Sequence, residues 1–155
     1  MNLYAIMIGD KYFSNFAWEK ALKLSKNPNF FPNIKQANEV VERIRSTVAE
    51  GLSNARAQLI ERQQILARIQ EDLASVDREL AVLEQKPYAE VRGQVLLKET
   101  QFNELGRDLQ LYQDLIKDSE RVVARCEKLA ALKPQIMVFP NRPLSTEDAF
   151  DILQA

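Results

Sequence analysis

The stretch "LEQKPYAEV", residues 83–91, decides the fold. It separates two long runs with helical apolar spacing and holds the only proline between Pro32 and Pro134. Proline is accepted at the first position of a helix, where its missing N–H costs nothing, but breaks a helix interior. The chain therefore either continues through Pro87 as one kinked rod or turns back on itself.

The runs on either side favour the turn. Before it, Leu52, Ala55, Leu59, Arg62, Leu66, Ile69, Leu73, Val76, Leu80 and Leu83 alternate in steps of three and four. That is a heptad seam, apolar at every position but Arg62. After it, a second seam runs from Tyr88 through Val91, Val95, Lys98, Phe102, Leu105, Leu109, Tyr112, Ile116, Ser119, Val123 and Cys126 to Ala130. Folding at 86–88 sets Leu83 near Val91, Leu66 near Leu109 and Leu52 near Val123. The odd residues match too: Arg62 falls near Tyr112, where its stem packs and its guanidinium meets the ring, and Ala55 near Ser119. At 1.5 Å per residue the two arms reach ~70 Å.

Upstream, Val41, Ile44 and Val48 meet the first seam through two successive steps of four, a stutter near Gly51. Asn33, with Gln36 three residues on, forms a capping-box signature that starts the first helix. Late in the second run Leu115, Val122 and Leu129 widen the apolar stripe, which calls for more than one packing partner there. The interior glycines 51, 93 and 106 mark either close approach of a partner or simple tolerance.

The flanks are of a different kind. Seven of the twelve aromatic residues lie in the first 31 positions. "LYAIMI" reads as a buried strand, Gly9-Asp10 as a two-residue turn and "KYFSNFAW" as the return strand. Residues 20–24 suit either a third strand or a short helix. "QIMVFP", 135–140, is again β-type, and Ser145 with Asp148 marks a short C-terminal helix. The expected fold is α+β. A small antiparallel sheet is built from both termini (1–33 and 134–155), and a two-helix coiled-coil hairpin (34–133) is inserted with its tip near 85–88.

Composition limits function. Hydrophobic content of 46% and charged content of 28% suit a folded soluble protein. A net charge of −1, with only a local +3 over residues 1–36, is far from the basic stripe of a nucleic-acid binder. Histidine is absent, which removes the commonest general base and metal ligand together. The lone Cys126 allows no internal disulfide and reads as a buried small hydrophobe in a reducing compartment. No metal site, cofactor or catalytic group is expected, and the chain is not expected to be an enzyme. The apolar run at its N-terminus is too short for a membrane span, and the cytoplasm is the expected location. The carboxylates read as solvated flanks, with local pairs such as Glu39–Arg43 and Asp118–Arg121.

What remains is surface. Tyr12, Phe16, Trp18, Lys20 and Lys23 could form an aromatic and basic platform, although Phe13, Phe16 and Trp18 are also the residues that a small sheet needs for its core. Pro87 and Tyr88, at the tip, are the other candidate contact point. Tyr88 is expected on the first seam position of the return helix.

The opening "Y-x-I" at Tyr4-Ala5-Ile6, the turn, "KYF" at 11–13 and the start "NIKQANEVVERI" at 33–44 resemble small bacteriophage-encoded proteins over about the first 45 residues. Some of these inhibit host defence systems such as CRISPR complexes by direct binding. The resemblance implies a protein partner in the host cytoplasm. The alternative from the residues is a structural or assembly protein, with the helical arms making a homodimer.

Overall fold

The computed structural model describes residues 2–16 and 22–140. The expected C-terminal helix after Ser145, and the candidate residues Trp18 and Lys20, lie outside them. The elements are β1 (Asn2–Ile8), β2 (Lys11–Phe16), β3 (Leu22–Ser25), α1 (Ile34–Glu84), α2 (Tyr88–Ala131) and β4 (Gln135–Pro140). The fold is α+β, with a four-stranded antiparallel sheet drawn from both ends of the chain and two long helices.

Packing divides the chain into two compact units, residues 1–51 with 128–155, and residues 52–127. The division falls inside both helices, so the sheet's unit includes the first part of α1 and the end of α2.

In the sheet unit the strand order is β3-β2-β1-β4. β1 and β4 pair along six residue pairs, from Asn2 opposite Pro140 to Met7 opposite Gln135. β1 and β2 pair only at Met7–Tyr12 and Ile8–Lys11, next to the two-residue turn. Gly9 has φ +65°, a left-handed conformation that glycine adopts without steric cost. Its position is also crowded, because an added Cβ would lie 3.2 Å from the Leu132 Cδ1. Further along β1, Phe31 takes β2's place: its N–H donates to the Tyr4 carbonyl (2.7 Å) and its carbonyl accepts from the Tyr4 N–H (2.9 Å). The ambiguous 20–24 region resolves as strand β3, whose Leu24 faces Phe13 and whose Lys23 faces Asn15 across an irregularity in β2.

One sheet face is the core. Ile6, Ile8 and Phe13 meet Val41 and Ile44 of α1, and all five are less than a tenth exposed. Burying side chains of this size contributes ~1.5–3 kcal/mol each. Val48 and Leu129 pack against the same cluster. The stutter near Gly51 now has a physical cause: residues 41, 44 and 48 address the sheet, and the regular seam begins at Leu52, where the second unit begins. Asn33 caps α1 as expected, its Oδ1 accepting from the Lys35 N–H at 2.7 Å. The expected Glu39–Arg43 pair is not among the ion pairs of the described residues; the Arg43 guanidinium instead lies 4.2 Å from the centre of the Phe16 ring.

In the second unit all ten positions of the first seam are buried or half-buried, with Ala55, Ile69 and Val76 the most enclosed. On α2, Val91, Val95 and Ser119 are buried. Bonds between the two helices run in antiparallel order. Glu79 forms an ion pair with Lys98, Arg62 donates to the Leu115 carbonyl (2.9 Å) and Ser119 Oγ (2.6 Å), and Arg56 meets Glu127 at 3.2 Å.

These pairs correct the expected register. Arg62 reaches Leu115 and Ser119 rather than the Tyr112 ring, so its partners lie farther from the turn than a fold on paper at 86–88 places them. Helical side chains lean toward their own N-terminus. In an antiparallel pair those of α1 lean away from the turn and those of α2 toward it. Contacts therefore form between residues that are not level along the backbones, and long arginine side chains extend the offset.

Candidate protein interface

The turn between the helices is short and closed by its own backbone. The Gln85 N–H donates to the Val82 carbonyl and the Lys86 N–H to the Leu83 carbonyl, tightening the last turn of α1. Pro87 then precedes α2, and its carbonyl accepts from the Glu90 N–H at 3.0 Å. Pro87 thus stands at the entry to the return helix, and it is exposed. Tyr88 does not pack on the seam: it is 57% exposed. In the first turn of α2 its side chain leans toward the turn, where no α1 residue stands opposite.

Near this turn the surface is more apolar than the seam requires. Val82, Leu96 and Leu97 are 57%, 47% and 61% exposed. Val82, Leu83, Leu97 and the stems of Glu79, Gln94 and Lys98 line an open groove of ≈ 410 Å³. A second groove of ≈ 410 Å³ continues from it, sharing Glu79 and Lys98, and is walled by Asp72, Glu104 and Asp108. The Glu79–Lys98 ion pair forms the boundary between the apolar and acidic parts.

Among the described residues, the other expected contact residues Tyr12, Phe16 and Lys23 belong to the sheet unit. Tyr12 is half-buried in β2, opposite Met7 and Ser25. Phe16 packs on the core cluster, its ring 5.0 Å from that of Phe13 and covered by Arg43. Lys23 is exposed on β3. Phe16 and Tyr12 therefore serve the sheet more than any platform. Among the described residues no group of carboxylate or thiol side chains is placed to hold a metal ion. No helix among them is long and apolar enough to cross a membrane.

Sequence reasoning singled out Pro87 and Tyr88 and did not single out the exposed Val82, Leu96 and Leu97. A signal was present: "VLLK", 95–98, puts two leucines beside the seam residue Val95, off the buried positions, and Val82 stands likewise beside Leu83. Apolar residues off a two-helix seam call for a further partner. No protein-family model matches the chain, and neither curated proteins nor solved structures show a match to it.

Proposed function

We propose that this chain is a non-enzymatic protein-binding module that works through the end of the α1–α2 pair. The observation that carries the reading is the exposure of Val82 and Leu97, which line an apolar groove with Leu83; Tyr88 and Leu96 are exposed in the same stretch of the chain. Several large apolar side chains exposed together mark interaction sites, whereas single ones are ordinary. Tyr88, at the tip, is of a residue type enriched among binding hot spots.

Two finer readings belong to the same proposal. The heptad seams, buried along α1, support winding of the two helices as an antiparallel coiled coil. The likeness of the first 45 residues to small phage proteins supports an inhibitor that occludes a host defence or nucleic-acid-processing complex in the cytoplasm. The competing reading is a homo-oligomeric assembly protein, favoured by Ile60 and Leu111, which are 54% and 53% exposed away from the turn.

The test is capture from a bacterial lysate by the immobilised full chain, alongside Leu97→Asp. The expected result is one protein retained in stoichiometric amount by the natural chain and lost from the variant, with unchanged helical circular dichroism. Identical capture by both would overturn the assignment of this surface. Concentration-dependent dimers abolished by Leu97→Asp would favour the assembly protein.

A further inference from the structure

The geometry points to a basic amphipathic α-helix of a partner protein as the occupant of the groove, an inference that rests on the protein-binding reading above. The groove has an apolar end at Val82 and Leu97 and an acidic continuation at Asp72, Glu104 and Asp108. Lys98 is the one cation lining either part, and Glu79 engages it. Among the described residues none of the three remaining carboxylates forms an ion pair. Farther along α2, exposed Leu111 lies 14 residues beyond Leu97, two heptads on and hence on the same side of the helix. At 1.5 Å per residue the two leucines stand ~21 Å apart. The surface therefore reads apolar, acidic, apolar in sequence.

This order selects among occupants. A nucleic acid or an anionic lipid surface would bring negative charge against the three carboxylates. A second copy that covered the whole surface about a twofold axis through the acidic stretch would set acid against acid. An extended strand would find no backbone edge on a helical pair to bond with. A third helix fits: the furrow between two packed helices takes another at ~8–10 Å from each axis. Its sequence would carry apolar anchors about 14 positions apart on one face, with lysine or arginine between them.

The probe is a fluorescein-labelled peptide of about 20 residues, with a leucine near each end of one face and lysines between. Its control carries glutamate in place of lysine. Both are titrated by anisotropy into the full chain. The expected result is binding of the lysine peptide at least tenfold tighter than the control, weakening with salt. A further tenfold loss is expected in Leu97→Asp and in the combined Asp72→Asn, Glu104→Gln, Asp108→Asn chain, both surface changes that leave the circular dichroism intact. Absent binding, or equal binding of the two peptides, would overturn the inference. A lysate partner lost in Leu97→Asp but retained by the neutralised chain would also overturn it, while leaving the protein-binding reading in place.

Discussion

Arg62 and Ser119 offer the sharpest test of how the two helices pair. Ser119 is 2% exposed, and its Oγ accepts from Arg62 Nη1 at 2.6 Å, while the same nitrogen donates to the Leu115 carbonyl. The relevant perturbation is a double-mutant cycle of Arg62→Met, which keeps the stem and removes the charge, with Ser119→Ala. A hydrogen bond to a charged group contributes ~1.5–3 kcal/mol. Arg62 is only half-buried and keeps Leu115 as an acceptor, so the low end applies and the coupling should be about 1.5 kcal/mol. Arg62→Met alone should cost little, because it adds apolar surface to the seam and the Ser119 hydroxyl can turn to the Leu115 carbonyl four residues back. Urea unfolding of the four chains, followed by circular dichroism at constant m-value, gives the cycle. A coupling below about 0.3 kcal/mol, within ordinary additivity, would refute the pairing at this register.

Three smaller changes probe the rest of the fold. Gly9→Ala should destabilise the chain by about 1–2 kcal/mol, from its left-handed backbone, with a further cost if the Leu132 side chain cannot shift; an unchanged melting temperature would contradict the turn geometry. Asn33→Ala should cost ~1 kcal/mol by orphaning the Lys35 N–H, and Asn33→Asp should restore it. Gly93→Ala and Gly106→Ala, where nothing stands within 4 Å of an added Cβ, should each stabilise by ~0.5–1 kcal/mol. Destabilisation by either would mean that a neighbour approaches there.

The helices and the sheet could be read from the sequence because their signals are local and repeated. A seam of ten regularly spaced positions has one reading, and so does an Asn cap followed by Gln36. The third strand was ambiguous because Leu22–Ser25 is too short to show a period; its pairing with β2 decides it. The bridge of Phe31 to Tyr4, and Arg43 over Phe16, each join residues 27 apart in sequence and so carry no local signal. The interhelical register was misjudged for a geometric reason, since counting residues about a turn ignores the lean of side chains. At the candidate surface, Pro87 and Tyr88 stood out as the break in a pattern. Val82, Leu96 and Leu97 were passed over because each stands beside the seam, where attention to the repeat itself does not reach.

Each property assigned to the groove requires α1 and α2 to lie side by side within one chain, since Val82 and Asp72 come from one helix and Leu97, Glu104 and Asp108 from the other. The direct measurement replaces Glu79 and Lys98, which form an ion pair across the helices, with cysteines in a Cys126→Ser background, and treats the dilute protein with a short bifunctional thiol reagent. The expected product has the mass of a single chain and migrates anomalously on a denaturing gel, as an internally closed loop does. A product with the mass of two chains, and none with the mass of one, would contradict pairing within the chain.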